Sequence, residues 1–144
     1  MTGPARPSAR PAPFVHRLRV RYHECDAQQR VFNAHYFAYF DLALTELWRS
    51  AFGSYGAMVR SGYDVVVAEA SARFLGAARF DEEVDVALTI VRLGETSMTS
   101  EVEVRRGDDV LVAGRMVHVW VDATTYEKRA IPGGARERLA PYAA

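Results

Sequence analysis

Arg21-Tyr-His-Glu-Cys-Asp26-Ala-Gln-Gln-Arg30-Val-Phe-Asn33-Ala-His-Tyr36-Phe-Ala-Tyr-Phe40-Asp-Leu-Ala-Leu-Thr-Glu46 is the stretch on which the fold turns. Tyr36, Phe40, Ala43, Leu47 and Ala51 recur at helical spacing, and Tyr39, Leu44 and Trp48 widen the apolar face until it suits a buried helix. Asn33 stands where this pattern starts and is the expected N-cap, because its side-chain oxygen accepts from N–H groups of the first turn. Seven residues earlier, a strand-like run stops at an isolated carboxylate, Asp26. The layout sets a fixed negative charge opposite the free N–H groups of a helix N-terminus, with space for a carbonyl between them. A carboxylate facing an oxyanion site is what acyl-transfer chemistry requires.

Working outward, Phe14, His16, Leu18, Val20 and Tyr22 alternate with Val15, Arg17, Arg19 and Arg21, which predicts a first strand over 14–22 with one basic, wetter face. Gly53 and Gly56 break the long helix, and 57–60 has the makings of a short second one. Strand-like segments follow near 63–75, 83–93, 97–105 and 110–122, with Gly94 and Arg106-Gly107-Asp108 marking tight turns. Short connections make these hairpins antiparallel. Pro132-Gly133-Gly134 ends the sheet, and 135–139 reads as a terminal helical turn. Five strands and one early helix, without βα alternation, predict an α+β fold in which a curved antiparallel sheet wraps the helix. Other sheet-plus-helix layouts share that pattern. Residues 1–13 hold four of the six prolines and no apolar period, so they read as a flexible Pro-rich leader to one domain over 14–144.

The 18 basic and 18 acidic residues cancel, so no global field recruits nucleic acid or a membrane surface. No apolar run reaches the roughly 18 residues that span a bilayer, and no signal-peptide core is evident, so a cytoplasmic location is expected. Cys25 is the only cysteine and makes no internal disulfide. Four scattered histidines and one cysteine form no ligand spacing, so neither a metal nor another cofactor is expected.

Tyr22-x-Glu24-x-Asp26 followed by Val31-x-Asn33-x-x-Tyr36-x-x-Tyr39-Phe40-Asp41-x-Ala43-x-Thr45-Glu46 resembles the 4-hydroxybenzoyl-CoA thioesterase branch of the hotdog-fold acyl-CoA thioesterases. The likeness runs over roughly residues 14–132 in element order, and its specific part is 22–46. It implies a hotdog fold, hydrolysis of an acyl or aryl thioester of coenzyme A or of an acyl carrier protein, and a homodimer or homotetramer with sites at subunit interfaces. It also implies that Asp26 is the catalytic carboxylate and that Asn33 offers its backbone N–H to the thioester oxygen. Two positions depart from the pattern: relatives carry Gly three residues after the Asp, often followed by His, whereas this chain has Gln29 and Arg30.

Asp26 has two routes open to it, attack on the thioester carbonyl to form a mixed anhydride or removal of a proton from the attacking water. His35 and Tyr36, at the start of the helix, are candidates for the acyl pocket, with Phe37, Tyr39 and Phe40 mainly in the core. Arg73, Arg79 and Arg92 are candidates for the phosphates of coenzyme A, since guanidinium forks suit phosphate and no glycine-rich cradle is present. Thr96 and Ser97 match a Thr-Ser pair common in such sheets and are candidates to touch the pantetheine arm. Three rival readings are a non-hydrolytic acyl-CoA-binding module, a hydroxyacyl-thioester dehydratase using His23 or His35, and a Cys25 nucleophile sharing a strand face with His23. Asp41, Thr45 and Arg49 form a surface network by spacing, and His118 reads as structural.

Overall fold

The computed structural model describes residues 11–144; residues 1–10, most of the segment read as a leader, lie outside the described residues. Strand β1 (Phe14–Arg19) alternates half-buried and exposed residues as its pattern requires, but it ends before Tyr22. Tyr22–Glu24 forms a single 3-10 turn instead, because Glu24 folds back to accept the Arg21 N–H at 2.7 Å. That turn removes the shared strand face on which the pairing of His23 with Cys25 depended.

Helix α1 (His35–Phe52) carries Tyr36, Tyr39, Phe40, Ala43, Leu44, Leu47, Trp48 and Ala51 into the core. Its start corrects the expected cap: Ala34 occupies the N-cap position without a side-chain cap hydrogen bond. The entry is closed by backbone bonds instead, His35 N–H to Phe32 O at 2.8 Å and Tyr36 N–H to Asn33 O at 3.4 Å. Gly53 ends α1 at a φ of 88°, a left-handed conformation that glycine adopts without a Cβ clash. Ser54 then caps the short α2 (Tyr55–Arg60), its hydroxyl oxygen accepting from the Ala57 N–H at 2.9 Å.

β2 (Tyr63–Phe74), β3 (Glu83–Leu93), β4 (Ser97–Arg106) and β5 (Asp109–Asp122) complete a five-stranded sheet in the order β1-β3-β4-β5-β2. Every pairing is antiparallel, with bulges at Val67/Glu69, Ile90/Arg92 and Val104/Arg105 that help the sheet curl. The concave face closes on α1, with Trp120, Leu88, Ile90, Met98 and Leu111 fully buried against Tyr39, Phe40 and Leu47. Contact is tightest at Gly114, where a Cβ would lie 2.5 Å from the Phe40 ring. α3 (Gly133–Leu139) closes one end of the core with Ala135 and Leu139. The result is the hotdog arrangement, a long helix wrapped by an antiparallel sheet. Among the described residues no helix is long and apolar enough to cross a membrane.

Candidate active site

Between the 3-10 turn and α1 the chain makes a narrow ribbon. Glu24 O accepts from the Phe32 N–H at 3.0 Å, Cys25 bridges Val31, and Asp26 N–H donates to Arg30 O at 2.8 Å. Asp26 sits at the closed end of this ribbon and is exposed. Its Oδ1 accepts from the Gln28 N–H at 2.8 Å and the Arg30 N–H at 3.4 Å, which leaves Oδ2 without a backbone donor and fixes the orientation of the carboxylate. A small pocket of about 250 Å³ opens beside it, lined by Tyr22, Cys25, Asp26, Ala27, Gln29 and Phe80. Tyr22 and Phe80 meet edge to face there, with ring centroids 5.8 Å apart.

Gln29 takes a φ of 59°, so the turn holds at this position the left-handed conformation that glycine adopts most easily. The departure from Gly is therefore absorbed as local backbone strain at a tight ribbon end. Asn33 lies at the open end of the ribbon, where the chain enters α1. The bonds that close the helix entry use the amides of Phe32, His35, Tyr36 and Phe37 and leave those of Asn33 and Ala34 without a backbone partner among the described residues. Unpaired amides at the positive end of an 18-residue helix are suited to a developing oxyanion.

His35 points to Glu24, Nε2 lying 3.3 Å from Oε2, and is therefore tied to the ribbon. Glu24 was not singled out by sequence reasoning, yet it is the hub of this region: buried, it also accepts from the Tyr39 hydroxyl at 2.8 Å. Burial pushes its carboxyl up, but the hydrogen bonds from Arg21, Tyr39 and His35 outweigh burial and hold it below the usual range. Its position two residues before Asp26 in the quoted motif was the only signal available. Burial also raises the Cys25 thiol, helped by the charges of Glu24 and Asp26, and its Sγ lies 3.6 Å from Arg21 O. A thiol so placed is the reverse of an activated nucleophile.

The remaining predicted residues disperse. Tyr36 is buried, and its hydroxyl accepts from the Ala78 N–H at 3.0 Å, tying α1 to the 76–80 loop. Arg73 lies on the outer sheet face in a wall with Ser71, Glu101, Glu103 and Arg115. Thr96 ends the turn between β3 and β4 and Ser97 opens β4, Thr96 O accepting from the Trp120 N–H at 2.8 Å. That turn sits beyond Leu93, whereas the Asp26 ribbon packs on the loop leading into Glu83. The 11 residues of β3 separate them within one chain, by about 35 Å along the strand at roughly 3.3 Å per residue.

The model of the thioesterase superfamily matches residues 28–113 of this chain. A protein of Aquifex aeolicus is 30% identical over 109 residues, covering 76% of this chain and 85% of its own. The acyl-CoA thioester hydrolase YbgC of Escherichia coli is 26% identical over 80% of this chain and 87% of its own. The crystal structure of a Pseudomonas aeruginosa protein superposes with a TM-score of 0.87 at 25% identity, over 97% of this chain and 98% of that one. With the helix wrapped by its sheet and the family pattern running from residue 28 through α1, β2, β3 and β4 into β5, this chain belongs to the thioesterase superfamily, and its reaction class is thioester hydrolysis.

Proposed function

We propose that the protein hydrolyses an acyl or aryl thioester of coenzyme A to the free acid and thiol, with Asp26 as the reacting carboxylate. The observation that carries this reading is the Asp26 ribbon end, where one carboxylate oxygen is held by backbone amides and the other is left for chemistry. Asp26 acts as nucleophile or as general base toward water. The backbone N–H at Asn33, at the start of α1, stabilises the oxyanion with the helix dipole behind it. The similarity to a coenzyme A thioester hydrolase supports coenzyme A as the carrier.

The same reading includes a homodimer. β2 ends the sheet with an unpaired edge, and Thr96 and Ser97 are too far from Asp26 to serve it in cis. They contribute to a site only from a second copy, and His35 acts by holding the helix entry while Tyr36 secures the loop beside it. Turnover is tested by free-thiol release from short, long, branched and aromatic acyl-CoA thioesters, with Asp26→Asn alongside. A loss of at least about a hundredfold in a variant with unchanged circular dichroism is expected. Turnover that survives the substitution sinks the assignment of Asp26, and the absence of turnover on every thioester sinks the hydrolase reading.

A further inference from the structure

The ribbon that carries Asp26 packs on the 75–82 loop, and at one point it sets two arginines directly opposite each other. Arg30 and Arg79 are antiparallel bridge partners, flanked by bonds from Val31 N–H to Ala78 O at 2.9 Å and from Phe80 N–H to Gln29 O at 3.0 Å. Directly opposed residues project to the same face, and like charges in that relation destabilise the pairing. Both side chains are exposed, and neither enters any ion pair among the described residues.

Arg106, at the end of β4, converges on the same place. With Arg30, Arg79, Phe74 and the 75–77 segment it lines a pocket of about 410 Å³ that has no acidic residue in its wall. Its Nη1 donates to Ala77 O at 3.2 Å and to Glu82 Oε1 at 3.1 Å, which fixes the guanidinium and neutralises one charge. Among the described residues the guanidinium groups of Arg30 and Arg79 have no carboxylate partner. The bridge itself is made by backbone groups and needs no arginine at either position, so the fold does not require the charge there. Arg73 shows the contrast, since its neighbours Glu101 and Glu103 balance it and Arg115.

The cluster is also locked to the reacting carboxylate, because Arg30 N–H faces Asp26 Oδ1 and Arg30 O accepts from the Asp26 N–H. Guanidinium forks match the oxygens of a phosphate ester better than those of any neutral group. We propose that Arg30, Arg79 and Arg106 form a subsite for the phosphate ester of the phosphopantetheine arm on which the acyl thioester is carried. The inference rests on the hydrolase reading at Asp26 and assigns the Gln29-Arg30 departure a role. That phosphate is shared by coenzyme A and by the prosthetic arm of a carrier protein.

The test compares one acyl group on coenzyme A, on 4′-phosphopantetheine, on pantetheine without phosphate and on a carrier protein, using wild type and the Arg30→Gln/Arg79→Gln double variant. The ratio of kcat/KM for acyl-phosphopantetheine to that for acyl-pantetheine is expected to fall at least tenfold in the variant, through KM. A ratio within twofold of wild type overturns the proposal, as does a loss confined to acyl-CoA, which would move recognition to the nucleotide phosphates. Given the expected fall, the natural source is whichever of acyl-CoA and acyl carrier protein loses more in the variant. Calorimetric binding of 4′-phosphopantetheine and of pantetheine to Asp26→Asn protein, with and without the double substitution, keeps the question separate from turnover. Phosphate-dependent binding that the arginine changes abolish supports the subsite even if Asp26 proves not to be catalytic, and equal binding of the two ligands overturns it.

Discussion

Glu24 shows how one buried carboxylate can organise the surroundings of a site. It is 7% exposed and gathers the Arg21 amide, the Tyr39 hydroxyl and the His35 ring, so one carboxylate couples the 3-10 turn to the first turns of α1. Glu24→Gln keeps the shape but weakens charge-assisted bonds, and a loss of about 1–3 kcal/mol is expected from urea unfolding at pH 7. Because the folded carboxyl titrates below its unfolded value, this contribution is full above the unfolded pKa and fades as pH falls through the folded one. The gap between wild type and variant should therefore narrow below about pH 4, the ordinary glutamate range; a gap constant with pH would mean that the charge is not involved. His118 gives a second, opposite case. It is buried on β5 with no partner for Nδ1, and burial pushes its pKa down, only partly opposed by Asp41. Asp41 and Thr45 on α1, Tyr55 on α2 and Val67 on β2 share its cleft. Tyr55 is itself pushed up to about 12 by its hydrogen bond to Asp64. A neutral folded imidazole against an unfolded one of pKa about 6.5 makes stability fall as pH drops below that value. Thermal midpoints at pH 7.5 and 5.5 should differ in wild type and converge in His118→Leu. The turn at Asp26 and the helix entry just after Asn33 were legible because both are local in sequence, although the cap position falls on Ala34. The role of Glu24 was not, since its partner Tyr39 lies 15 residues away and meets it only once the first turns of α1 have folded back on the ribbon.

At the scale of elements, strand and helix periods were readable wherever burial alternates simply, as in β1 and α1. The boundaries that moved were those set by contacts between elements: β1 stops early because Val20 N–H bonds to Glu82 O and the chain then curls at Glu24. Nor did the pattern announce that Gly114 is the point of closest approach between sheet and helix. A Cβ there would lie 2.5 Å from Phe40 Cε2 and Cζ and 2.9 Å from Ser71 O, and neither backbone nor packed ring can yield. Gly114→Ala is expected to cost about 1–3 kcal/mol by overpacking, read as a lower urea midpoint. Gln29 offers the converse. Relief of a left-handed φ of 59° in Gln29→Gly should raise stability by up to about 1 kcal/mol, although glycine's freer unfolded state offsets part of it. A loss instead would show that the Gln29 side chain, which lines the Asp26 pocket, contributes more than its backbone costs.

For the whole molecule the two edges of the sheet differ in kind. β1 is short, and its outer face carries Arg17 paired with Asp85 and Arg19 paired with Glu83. Exposed pairs of this sort add little stability, but charge on an edge discourages further pairing. β2 is twice as long, with 12 residues. Its residues 66–71 are all exposed, including Val66 at 39% and Val67 at 56%, although alternate side chains of a sheet over a helix should be covered. A long apolar edge left open on both faces is a template for another strand, and closed two-fold pairing of β2 with its copy satisfies it without propagating. Light scattering on a sizing column should thus give a dimer or a multiple of one. Val66→Asp/Val67→Asp places like charges near each other across that axis and should shift the population toward monomer. If Thr96 and Ser97 serve Asp26 from the second copy, specific activity must fall with the dimer fraction, on dilution of wild type and at all concentrations in the variant. A folded monomer with full activity would confine the site to one chain and remove Thr96 and Ser97 from it, whereas parallel loss of dimer and turnover would make the subunit interface part of the catalytic centre.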